Sequence, residues 1–178
     1  YALIWANPEY RKFEQALIQT EETRGYAWAL NLIASAYLAT KEAEKQGPLP
    51  APLLPSSYWK RILDNNRAEF ERRWVKNGDD KPIIAGCHFG VSLREGDFRP
   101  WQHDYLGFVL GWMIYTGQFP EWRGNYEWHM RQAIMRASGK HGFPRSQAIQ
   151  YDGKITGVSD MASLARINGW TETADGHY

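Results

Sequence analysis

Between Gly47 and Pro55 the chain reads Gly47-Pro48-Leu49-Pro50-Ala51-Pro52-Leu53-Leu54-Pro55, and no helix can pass through that run. Each proline lacks an amide hydrogen, and its ring crowds the preceding turn. The tract therefore divides two segments that both carry helical spacing. Before it, a long helix is expected from about Glu22 to Gln46, where Ala27, Leu30, Ala34, Tyr37 and Leu38 recur at three- and four-residue steps. The small residues Ala27, Ala29, Ala34, Ser35 and Ala36 would let a neighbouring helix approach closely. After the tract, Ser56-Ser57 offers an N-cap for a second long helix ending near Asn77-Gly78. Its buried stripe would be Trp59, Ile62, Leu63, Phe70 and Trp74, with Lys60, Arg61, Asp64, Arg67, Glu71 and Arg72 toward water.

The rest of the chain is punctuated in the same way. Asn7-Pro8-Glu9 starts a short helix that runs to about Thr20, with proline where a missing N–H costs nothing. Asp79 to Phe98 reads as a long loop holding a short strand at Ile83-Ile84-Ala85. A third helix is expected at roughly Pro100 to Tyr115 and a fourth at Pro120 to Ala137, with Gly117 and Pro120 marking the turn between them. Residues 138–178 read as mostly irregular, apart from a short helix at Asp160 to Ile167, capped by Ser159 and stopped by Gly169. The expectation is a single all-α domain over residues 1–178, built of antiparallel helical hairpins with long loops. Each hairpin pairs a very apolar helix with a more polar one. Inner and outer helices of a layered helical ring differ in that way.

Composition excludes several classes of function. Hydrophobic residues make up 43% of the chain, which argues against disorder. Lys plus Arg is 21 against 20 for Asp plus Glu, so no broad basic face is expected and nucleic acid is not a partner. Cys87 is the only cysteine, which rules out an internal disulfide and a thiolate zinc cluster within the chain. The most apolar stretch, Tyr105 to Tyr115, is shorter than the roughly 20 residues a membrane span needs. Tyr1 stands where a methionine would, and the chain is expected to be a processed product or a piece of a larger protein. None of this specifies a compartment.

Nine Trp and ten Tyr, many beside polar residues, direct attention to sites where a flat ring meets a polar group. The strongest chemical candidate is Trp101-Gln102-His103-Asp104-Tyr105, at the start of the third helix. His103 can transfer a proton near neutral pH. Asp104 lies about 100° further round the helix and so cannot readily orient His103. Its plainer role is that of a first-turn acid favoured by the helix dipole. Arg24 and Trp28 are four residues apart and share a face, so Arg24 can hold a sugar carboxylate while Trp28 stacks against the ring. The plainer alternative is a cation–π or ion-pair contact locking one helix to the next.

Trp122 and Tyr126 form a similar pair, with Trp128 and His129 on other faces, and core packing is the simpler reading there. Arg123 and Glu127 should form a surface ion pair of small energetic value. Cys87-His88 lacks further ligands, and His141, His177, Glu95 and Asp97 have no ligand spacing, so neither metal nor cofactor is expected. Glycoside hydrolysis needs two carboxylates; the candidates are Glu95, Asp97 and Asp152 on loops and Asp104 at a helix start, although charged loop residues are mostly just solvated.

Two segments carry a resemblance to a known architecture: Thr23-Arg24-Gly25-Tyr26-Ala27-Trp28-Ala29-Leu30 and Arg99-Pro100-Trp101-Gln102-His103-Asp104-Tyr105-Leu106. From about Arg24 to Tyr151 the chain resembles helical-hairpin segments of α/α-toroid proteins, an architecture used by many polysaccharide lyases and glycoside hydrolases. Similar stretches occur in uncharacterised bacterial and phage-like proteins. The resemblance implies a C-terminal portion of such a toroid, or a reduced version of it. The function expected is carbohydrate-related, either glycan cleavage or glycan binding. In the catalytic version His103 transfers the proton, Arg24 and Asp104 contact substrate, and Trp28 and Trp101 are stacking surfaces. The alternative is a non-catalytic subunit of a larger assembly, such as a phage particle, with exposed aromatics as protein contacts. On the catalytic version, His103→Ala abolishes glycan turnover by the intact protein, read as release of new chain ends.

Overall fold

The computed structural model describes residues 23–76, 97–98, 100–138, 144, 153–154 and 161–171. The expected helix before Thr20 and strand at Ile83-Ile84-Ala85 lie outside the described residues. Five α-helices are present among those described: α1 (Thr23–Glu44), α2 (Ser56–Lys76), α3 (Pro100–Tyr115), α4 (Arg123–Ala137) and α5 (Met161–Ile167). A 3₁₀ turn, Pro120–Trp122, leads directly into α4. Two short strands, β1 (Asp97–Phe98) and β2 (Gly153–Lys154), pair antiparallel, with Asp97 opposite Lys154 and Phe98 opposite Gly153. The class is all-α, since a two-residue ladder supplies no sheet face to bury. No helix among the described residues is long and apolar enough to cross a membrane.

The hydrophobic stripes decide which helices meet. α1 is buried on two flanks, through Tyr26, Ala27, Leu30, Ile33, Ala34 and Tyr37, because it packs against both α2 and α3. Of the small side chains expected to permit close approach, Ala27, Ala29 and Ala34 are buried, Ala36 is half-buried and Ser35 is exposed. α2 contributes Trp59, Ile62, Leu63 and Phe70, and α3 contributes Leu106, Val109, Leu110 and Met113. Phe119 and Trp122, from the turn before α4, close the core from one end. Asn66 is buried in α2, and its amide donates to the Ile62 carbonyl at 2.8 Å, which satisfies it locally.

The directions of the helices follow from paired contacts. The Arg24 amide, at the start of α1, donates to Gln102 Oε1 at the start of α3, at 3.1 Å. Near the other end, Lys41 Nζ donates to Gln118 Oε1 at 3.0 Å, and the Tyr37 and Phe119 rings lie 5.5 Å apart. α1 and α3 therefore run side by side in the same sense. α4 runs against α3, with Asp104 meeting Arg136, Gly107 meeting His129, and Gly111 meeting Tyr126.

The start of α2 differs from expectation. Ser56 is the first helical residue, and the cap comes from α1: its amide donates to Glu44 Oε1 at 2.8 Å and its hydroxyl donates to Glu44 Oε2. One carboxylate thus closes the proline tract and satisfies an otherwise orphaned amide. α5 ends as expected at Gly169, whose φ of +66° suits a residue without Cβ. The Trp170 amide reaches back to the Ala165 carbonyl at 2.9 Å, the bond that ends many helices.

Two outcomes follow. A Cβ at Gly107 would lie 3.0 Å from the ring of buried His129, whereas a Cβ at Gly124 would meet nothing within 4 Å. Gly107→Val should therefore lower stability by about 1–3 kcal/mol, while Gly124→Ala raises it by up to about 1 kcal/mol, both read by urea unfolding. The Ser56 hydroxyl, and then its amide, hold the Glu44 carboxyl below the ordinary glutamate value. That contribution is complete above the unfolded pKa and is lost as pH falls through the lowered folded value. The stability difference between wild type and Glu44→Gln should shrink as pH drops from about 7 to about 3.

Candidate functional site

Because α1 and α3 start level and run in parallel, Arg24, Trp28 and Trp101 come together. The Arg24 guanidinium carbon sits 5.1 Å from the Trp28 ring centroid and 5.4 Å from that of Trp101. A cation between two indole faces is attracted by both ring quadrupoles. The contact bridges α1 to α3, in keeping with the helix-locking role weighed from the sequence. Trp28, 42% exposed, meets Tyr105 edge to face at 6.4 Å and 86°. Tyr105 in turn stacks with Phe108 at 6.4 Å and 17°. A continuous row of rings therefore runs from the helix starts along the outside of α3.

That row leads to a hollow of about 560 Å³ between α3 and α4. Its floor lies at Gly107 and Gly111, where α3 carries no side chain and Met130 and Tyr126 of α4 come close. Phe108, Trp112 and Tyr115 make one wall, and Tyr126 with Met130 makes the other. Their spacing along α3 places them on neighbouring turns of one face. Phe108 is 71% exposed and Tyr115 is 92% exposed, so the hollow is open to solvent along its length.

Asp104 lines one end of the hollow and is its one charged lining residue among those described. It differs from expectation in a definite way. Since α3 begins at Pro100, Asp104 falls just beyond the first turn, and its partner is the guanidinium of Arg136 on α4. Arg136 is 2% exposed and Asp104 37%, so the cation is buried and the carboxylate is only partly covered. An arginine so buried needs a carboxylate partner, because an unpaired charge out of water is costly.

His103 belongs to α3, but its side chain lies outside the described residues, as does that of Trp128. Glu95, Cys87, His88, His141, Asp152 and His177 also lie outside them. Asp97 sits in β1, opposite Lys154. No group of three or more His, Cys, Asp or Glu suited to a metal ion occurs among the described residues. Of the Trp122–Tyr126 pair, Trp122 is fully buried, while Tyr126 is half-buried and lines the hollow. Arg123 and Glu127 form the expected exposed ion pair at 3.6 Å.

Sequence reasoning missed Phe108, Trp112, Tyr115, Met130 and Arg136. A signal for the first three existed. Gly107 and Gly111 stand four apart inside the most apolar helix, with bulky aromatics beside them. Nothing local marked Arg136 as buried. Comparison with protein families, curated proteins and solved structures finds no match. The site must be read from its own chemistry.

The Asp104–Arg136 pair has a measurable consequence. Asp104→Asn should cost about 1–3 kcal/mol, because it weakens a charged bond to a buried guanidinium. A double-mutant cycle with Arg136→Met, followed by urea unfolding, should give a coupling energy of at least about 1 kcal/mol.

Proposed function

We propose that this chain is a glycan-binding helical domain, with sugar rings seated in the hollow between α3 and α4. The observation that carries this reading is the hollow itself: about 560 Å³, aromatic on both walls, with a partly exposed carboxylate at one end. Its volume falls within the roughly 300–1,000 Å³ typical of ligand pockets. A sugar ring offers an apolar C–H face and a rim of hydroxyls. The face suits Phe108, Trp112, Tyr115 or Tyr126, and a hydroxyl can donate to Asp104.

The layout of the helices supports the same reading. α1 and α3 are adjacent, parallel and rich in buried apolar residues. α2 packs along α1 and α4 along α3, and both carry more charge. We read these as two helical hairpins forming an arc of an α/α toroid, with α1 and α3 as its inner helices. Glycan-handling enzymes share that architecture, and this chain would be a portion of one.

Binding is preferred to cleavage on chemical grounds. Hydrolysis of a glycosidic bond uses a pair of carboxylates, and Asp104 is the one lining the hollow among the described residues. His103 is next to it in sequence and is the residue on which a cleavage reading would rest. Arg24, Trp28 and Trp101 form a stacked cluster at the approach to the hollow, where Trp28 extends the aromatic surface.

One observation favours a second reading, a protein-assembly surface. Ile134 on α4 is exposed along with Phe108 and Tyr115, giving apolar surface beyond what a sugar needs. A panel of oligosaccharides titrated into the intact chain separates the two. Phe108→Ala and Tyr115→Ala should each weaken glycan binding about tenfold, the loss of roughly 1.4 kcal/mol of stacking, without changing the unfolding midpoint. If no sugar binds and the chain self-associates with rising concentration, the assembly reading stands instead.

A further inference from the structure

We infer that the hollow is built for uncharged, linear hexose oligosaccharides and discriminates against uronates; this rests on the glycan-binding reading above. The argument is one of charge placement. Asp104 is the sole charged residue lining the hollow among those described, and it is negative. The cation nearest to it, Arg136, is 2% exposed and engaged by Asp104 itself, so it has no open face toward a ligand. Arg24, the residue that a carboxylate-clamping role would need, is not among the residues lining the hollow, and its guanidinium packs against the rings of Trp28 and Trp101 where α1 and α3 start.

A uronate entering the hollow would therefore meet Asp104 as a like charge. Its carboxylate would also lose water against walls made of Phe108, Trp112 and Tyr126 without gaining a cation. A neutral sugar carries no such cost. Its hydroxyl donates to a carboxylate that is still 37% exposed, a charge-assisted hydrogen bond stronger than one between neutral groups.

The geometry of α3 adds a preference for chain length. Phe108 and Tyr115 are seven residues apart, which at helical rise is about 10.5 Å, close to the length of two linked hexose rings. Trp112 lies between them on the same wall. Three rings along one axis match an extended oligomer better than a single sugar, so affinity should grow from monosaccharide to trisaccharide and then level off.

The test is calorimetric titration of the intact chain with cellohexaose and mannohexaose as neutral probes and hexamers of mannuronate and galacturonate as charged ones. A neutral hexamer should bind at least about tenfold tighter than either uronate. Raising the salt should leave neutral binding unchanged and strengthen any residual uronate binding, by screening its repulsion from Asp104. Asp104→Asn should narrow the gap between the two classes. Glucose alone should bind more weakly than a trisaccharide. Uronates binding as tightly as neutral hexamers, or tighter, would overturn the charge inference and leave glycan binding standing. Should no probe of either class bind, the glycan reading itself fails, and this inference with it.

Discussion

Everything at the candidate site depends on how closely α4 can approach α3. Gly107 and Gly111 allow the approach, since a Cβ at either position would press on His129 or Tyr126 at 3.0–3.2 Å. With no side chain at those two positions, the α3 backbone receives the His129, Met130 and Tyr126 side chains of α4, and the larger residues on either side stand out as walls. The same closeness brings Arg136 within reach of Asp104, across 32 residues of sequence. A wider spacing would leave the arginine buried without that carboxylate and would remove the floor of the hollow. Packing and site are therefore one feature of the molecule.

The second constraint is the parallel pairing of α1 and α3. It is held at one end by the Arg24 amide on Gln102 and at the other by Lys41 on Gln118, with the Tyr37–Phe119 contact inside. Level starts are what collect Arg24, Trp28, Trp101 and Tyr105 into one aromatic surface. Its cations are drawn in, since Arg24 packs against two indole rings and Arg136 is 2% exposed. A chain with nearly balanced charge thus presents a hollow whose one charge, among the described residues, is negative. Composition reports a sum, and a ligand meets only the charges that face it.

Much of the secondary structure was legible in the sequence, and the reason is local. Proline and glycine act through the backbone of their own turn, so the expected third helix, Pro100 to Tyr115, coincides with α3, and the expected first long helix, Glu22 to Gln46, nearly coincides with α1. The stop at Gly169 was readable for the same reason. The site was legible only in part. Arg24, Trp28 and Asp104 attracted attention as polar and aromatic neighbours, but the wall residues Phe108, Trp112, Tyr115 and Met130 carried no polar neighbour pattern to set them apart. An apolar helix gives no hint of which flank its partners leave uncovered.

By itself, then, the sequence determined where helices begin and end, which stripes seek burial, and that no disulfide or thiolate zinc cluster could form within the chain from a single cysteine. Those are properties of single turns and of counts. Only the tertiary structure decided that α1 and α3 run in parallel, that Glu44 rather than a serine caps α2, and that Asp104 answers Arg136 instead of a helix dipole. It alone opened the hollow, because an empty space between two helices depends on their separation. Separation is set by the fit of many side chains at once, and no residue carries it alone.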